Sequence, residues 1–131
     1  MGARVLAAAG LAAALLAGCG ERPAAPDAAA LAARQYYDSL LCGRYAAFVG
    51  GMAGADSLPE AYLEQLRTNA KQFMARQKEE HGGISSVSVV RVDTDSVNRR
   101  RDVFLMLCYG DSAREEVVVP MVETPAGWRM R

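Results

Sequence analysis

Three cysteines, one histidine and a scatter of tyrosines and carboxylates are the side chains in this 131-residue chain that could do chemistry. Only Cys19 has a pattern around it. It follows Leu16, Ala17 and Gly18 at the end of an apolar run that starts after Arg4. That layout, one cation, an apolar stretch and small residues before a thiol, is that of a secretory signal cut just ahead of the cysteine. Cys42 and Cys108 remain. In an oxidising compartment they could form a disulfide closing a loop of about 67 residues, worth ~4 kcal/mol in the chain-entropy model. The favoured reading is two small buried hydrophobes, because Cys42 ends a helix and Cys108 sits in an apolar strand.

His81 is the only histidine. It lies at a helix end beside Gly82-Gly83, where an imidazole can interact with the helix dipole. A general base needs a partner and a pocket, and the sequence offers neither, so a structural or exposed role is expected. With one histidine and no carboxylate cluster, no metal is expected. There is no glycine-rich phosphate loop, serine elbow or Cys/His pairing, so no catalytic residue and no cofactor is expected either.

Val5 to Ala17 carries no charged or polar side chain. About 13 apolar residues fall short of the ~20 needed to span a bilayer. The Leu-Ala-Gly-Cys ending resembles the bacterial lipobox. The resemblance implies a signal peptide over 1–18, a diacylglyceryl thioether and an amide-linked acyl chain such as palmitate on Cys19, and a lipoprotein of the bacterial cell envelope. Several acyl chains anchor stably where one binds reversibly. Gly20 carries no inner-membrane retention signal, so the outer membrane is expected, with the side open. Residues 19–26, holding Pro23 and Pro26, read as a tether.

The 113 residues after the signal make one domain with room for a real core. Setting aside Arg4, 14 Lys and Arg face 15 Asp and Glu. A near-neutral chain gives no reason to expect a nucleic-acid partner. Arg99-Arg100-Arg101, beside Asp93, Asp95 and Asp102, reads as a solvated hairpin loop.

The elements follow from 27 to 131. Asp27 can cap an alanine-rich helix through about Leu41, with Leu31, Tyr37, Leu40 and Leu41 on one face. Gly43 breaks it, and a short helix spans 44–49. Ser57-Leu58-Pro59-Glu60 starts a long helix, with Ser57 as cap, running to about Glu80. Leu58, Tyr62, Leu66, Ala70, Phe73 and Met74 make its stripe, and Gly82-Gly83 stops it. Strands follow at 84–92, 102–109, 115–122 and 128–131, and their short connections make neighbours antiparallel. The stretch 102–109 is apolar on both faces, as in a covered central strand. Pro120 predicts a bulge or sharp bend. Glu115-Glu116 reads as an edge charge that discourages sheet-to-sheet pairing.

Ala33-Arg34-Gln35-Tyr36-Tyr37, Asp102-Val103-Phe104-Leu105 through Tyr109-Gly110-Asp111, Val118-Val119-Pro120-Met121-Val122 and Gly127-Trp128-Arg129-Met130 together resemble small bacterial lipoproteins of the nuclear transport factor 2-like superfamily, in a family of unknown function. The resemblance implies an α+β fold: two long helices and one short one packed in a curved four-stranded antiparallel sheet, shaped as a cone with a pocket. Its possible lining is Tyr37, Leu41, Phe48, Tyr62, Leu66, Phe73, Phe104, Met106 and Trp128, a list that sequence cannot tell from a core list.

A non-enzymatic protein that binds a small apolar ligand, a peptide or a protein partner is the leading expectation. One alternative is a lyase or isomerase of the ketosteroid-isomerase type, drawing on Tyr36, Tyr37, Asp38, Tyr62, Tyr109 or Asp111. It needs a carboxyl held in a dry pocket. Another is a homodimeric assembly module joined through the outer sheet face.

Overall fold

A computed structural model describes residues 27–131. Cys19, the signal and the tether lie outside the described residues. Three α-helices, α1 (Ala28–Leu41), α2 (Tyr45–Gly50) and α3 (Glu60–His81), precede four strands, β1 (Ile84–Asp95), β2 (Arg100–Tyr109), β3 (Arg114–Thr124) and β4 (Gly127–Met130). The strands form one antiparallel sheet in the order β1-β2-β3-β4. Among the described residues, no helix is long and apolar enough to cross a membrane.

Asp27 caps α1 as its sequence predicts, its Oδ1 accepting from the N–H groups of Ala29 at 2.9 Å and Ala30 at 3.1 Å. Its other oxygen pairs with Arg101 of β2. The same carboxylate thus ends a helix and ties that helix to the sheet. Ala29, Ala30 and Ala33 are buried against Val103, Leu105, Leu107 and Met121. Small side chains let the α1 backbone approach the strands closely. The core is drawn from α1 and all four strands. Leu31 is 48% exposed rather than inward. Two helical positions from Ala29 rotate it about 200°, away from the face the alanines hold on the sheet.

Ser57 does not cap α3. It closes a 3₁₀ turn over Ala55–Ser57, and the cap position falls to Pro59, without a side-chain hydrogen bond. Leu58 is extended, at ψ 144°, as the residue before a proline prefers. That leaves Ser57 too far back to reach the first free N–H groups. At the other end, Gly82 at φ 74° ends the helix, and the N–H groups of Gly82 and Gly83 satisfy the carbonyls of Lys78 and Gln77.

β2 is buried on one face only. Val103, Leu105, Leu107 and Tyr109 point at the helices, while Phe104, Met106 and Cys108 are half-exposed on the other side. A strand covered on both faces is therefore not what this apolar run makes. Nor does Pro120 break the ladder. β2 and β3 stay in register from Arg100 opposite Val122 to Cys108 opposite Arg114. The amide that Pro120 lacks would face Arg131, just past the end of β4, and the Pro120 carbonyl on that side accepts from Arg131 N at 2.8 Å. No ladder donor is missed there. The irregularities lie in β1 instead, between Ile84 and Ser86 and between Val89 and Arg91, and bulges of this kind curl a sheet.

The Tyr36 hydroxyl joins α1 to β4. It donates to the Trp128 carbonyl at 2.8 Å and accepts from Arg129 Nη1 at 2.9 Å. Gly51 lies against its ring, and a Cβ there would sit 2.5 Å from Tyr36 Cδ1. Gly51 also accepts from Met130 N through its carbonyl, so neither side can retreat freely. Gly51→Ala is predicted to lower stability by ~1–3 kcal/mol, the cost of overpacking. Urea unfolding checks it, and an unchanged midpoint refutes the clamp.

Candidate functional site

α3 lies over the sheet without packing down on it. Of its 22 residues only Ala70 is buried. Leu66 and Phe73, four before and three after Ala70, share its face and stay half-buried. Between this face, α1, α2 and the inner side of β2 and β3 is a cleft of about 420 Å³. Its walls are Tyr37, Leu40, Phe48, Met52, Leu66, Ala70, Phe73, Leu107 and Val117, with Asn69, Tyr109 and Glu115 as the polar groups. Tyr37 and Phe48 meet edge to face, with ring centroids 5.6 Å apart. Burial pushes the Tyr37 hydroxyl above the ordinary tyrosine pKa.

At the polar end, the Tyr109 hydroxyl donates to Glu115 Oε2 at 2.6 Å. Burial first, then this hydrogen bond to a carboxylate, raises the Tyr109 pKa from 10.0 to about 12. The His81 ring lies on the Tyr109 ring, with centroids 4.6 Å apart. His81 Nδ1 is 2.8 Å from Asp111 Oδ2, and Asp111 Oδ1 accepts from Ala113 N at 3.0 Å. The hydrogen bond from His81, then that from Ala113, holds the Asp111 pKa below its usual value.

Backbone contacts make this grouping. Gly110 N donates to Gly83 O and Asp111 N to His81 O, both at 2.9 Å. The end of α3 is thereby pinned on the turn between β2 and β3. A Cβ on Gly110 would lie 2.7 Å from Gly82 O, so only glycine permits the approach.

Of the residues the sequence suggests for a pocket, Tyr37, Phe48, Leu66 and Phe73 line the cleft. Phe104 and Met106 do not. They alternate with Leu105 and Leu107 and so occupy the outer face, where the Arg91 guanidinium covers the Phe104 ring at 3.6 Å. Tyr62 shares the stripe of Leu66 and Phe73, but on the first turn of α3 it is 53% exposed and does not line the cleft. Leu41 packs on the core. Trp128 sits beside Arg101, its ring centroid 4.9 Å from the guanidinium carbon.

Cys42 and Cys108 are free thiols, Cys42 exposed and Cys108 half-buried. The picture of two buried hydrophobes therefore fails for Cys42. Among the described residues, no group of three or more metal-ligating side chains forms. His81 has the partner the sequence did not reveal, and Glu115, on the stretch of β3 that β4 leaves unpaired, also serves Tyr109. Leu107 stands opposite Glu115 in the register. Glu115 therefore shares the inner face with Tyr109, two residues along. The Gly110–Ser112 turn is the signal that could have revealed this.

No family model and no curated protein matches the chain. The solved structures do include a match. The 2.00 Å crystal structure of a protein described as an NTF2-like transpeptidase from Campylobacter jejuni superposes with a TM-score of 0.60. The match covers 75% of this chain and 92% of the other, at 8% identity. The fold is nuclear transport factor 2-like. Helices followed by a four-stranded antiparallel sheet make the α+β architecture that the sequence resemblance implies.

Tyr109 should titrate near pH 12 by NMR, and Glu115→Gln should lower that value while leaving it above 10, since burial remains. A raised tyrosine pKa favours the neutral form in the fold. Its contribution is full below the unfolded value of about 10 and is lost as pH rises towards the folded value. An unshifted Tyr109 contradicts the pair. Asp111 behaves oppositely: its contribution is present above the ordinary aspartate pKa and lost as pH falls through the depressed one. Asp111→Asn should flatten that acid limb of the stability profile, and an unchanged limb argues against the His81 contact.

Proposed function

We propose that this chain is a lipoprotein of the bacterial cell envelope, anchored through acyl chains on Cys19, whose cleft binds a small apolar molecule without transforming it. The observation that carries the binding reading is α3: a 22-residue helix with one buried residue, whose apolar face opens on a cleft of about 420 Å³. Ligand pockets typically run from about 300 to about 1,000 Å³ and are mostly apolar with a few placed polar groups. Burying a Leu or Phe fully is worth ~1.5–3 kcal/mol. Leu66 and Phe73, left half-wet, keep part of that for an occupant.

The ionisable groups favour binding over turnover. The Tyr109 proton is committed to Glu115, and a hydroxyl with a pKa of about 12 is a poor proton donor at neutral pH. His81 and Asp111 stand behind the Tyr109 ring and do not line the cleft.

Native mass spectrometry of residues 24–131, purified from a bacterial periplasm, tests the binding reading. A retained small molecule on a monomer is the expected result, and Leu66→Ser should lose it while melting within a few degrees of wild type. An empty monomer, unaltered by offered apolar compounds, would falsify the reading. For the anchor, the mature full chain should carry the mass of its acyl chains, and Cys19→Ala should remove them. An unmodified Cys19 in the membrane fraction refutes that part.

A further inference from the structure

Resting on that reading, we infer that the cleft selects apolar molecules carrying a protonated amine, with Glu115 as the counter-ion. Among the described residues, Glu115 is the only charged side chain on the cleft wall. Its Oε2 accepts the Tyr109 hydrogen bond from a neutral donor, and the carboxylate is exposed to solvent. No ion pair among the described residues involves Glu115. Its neighbour Glu116 shows the contrast: on the outer face it takes Arg91 Nη1 at 3.2 Å. Of two adjacent carboxylates, the one turned outward has a cation and the one turned to the cleft has none.

The remaining walls suit the same class of ligand. Tyr37, Phe48 and Phe73 bring aromatic rings to the cleft, and the faces of such rings attract cations. The aliphatic side chains beside them would take an alkyl body. An ammonium group at Glu115 would gain a charge-assisted hydrogen bond. A carboxylate ligand would meet like charge there, and an alcohol could donate a hydrogen bond to the carboxylate but would lack the attraction between opposite charges.

Titration calorimetry of residues 24–131 with octylamine, octanol and octanoate at neutral pH and low salt separates the possibilities. We expect octylamine to bind about fivefold tighter than octanol, the upper end of the scale for one exposed charge pair, and octanoate to bind weakest. Glu115→Gln should bring octylamine to within about twofold of octanol, weakening octylamine more than it changes octanol. Circular dichroism confirms that the variant is folded, and Glu115→Asp, which keeps the charge, should recover part of the preference. Equal binding of octylamine and octanol by the wild type overturns the amine inference and leaves an unselective apolar cleft. The same holds if octylamine keeps its advantage in Glu115→Gln. Failure of all three probes to bind overturns the binding reading itself.

Discussion

The pinning of the C-terminal end of α3 on the turn between β2 and β3 is the constraint on which the cleft depends. Gly82 and Gly83 turn the chain out of the helix, and Gly83 O and His81 O then receive amides from Gly110 and Asp111. The junction is backbone to backbone, with no room for a Cβ at Gly110. It fixes where α3 leaves the sheet but does not press the helix onto it. One buried residue, Ala70, is all that α3 gives to the interior. The cleft is the space that this geometry leaves.

α1 behaves in the opposite way. Its alanines bring its backbone down on β2 and β3, Asp27 ties its N-terminus to Arg101, and Tyr36, just past its middle, ties it to β4. The molecule thus has a tightly packed side and an open one. The same junction that opens the cleft also sets its polar end, because it brings the His81 ring against Tyr109, tilted by 38°, and places Asp111 within reach of the imidazole. Structural support and candidate chemistry meet on one turn of three residues.

Much of the fold was legible in the sequence because its signals are local. The Asp27 cap, the alanine run, the glycines at 43 and 82–83 and the four strands need only neighbours a few residues away. What failed needed non-local information. Phe104 and Met106 look as apolar as Leu105 and Leu107, and only the register and the position of the helices decide which pair faces in. Pro120 looks disruptive until β4 is seen to end where its missing donor points. Tyr109, Glu115, His81 and Asp111 come from two strands, a helix end and a turn. No spacing rule joins His81 to Asp111, 30 residues away.

The central claim is that the space between α3 and the sheet is an open cleft that takes an apolar guest. Methyl NMR of residues 24–131, free and with octanol, tests it most directly. Octanol should give intermolecular Overhauser contacts to Leu66, Leu107 and Val117, and none to Val118, which is 50% exposed on the outer face. Strong direct contacts between Leu66 and Leu107 methyls in the free protein, with octanol touching neither, would show α3 packed down on the sheet and contradict the account.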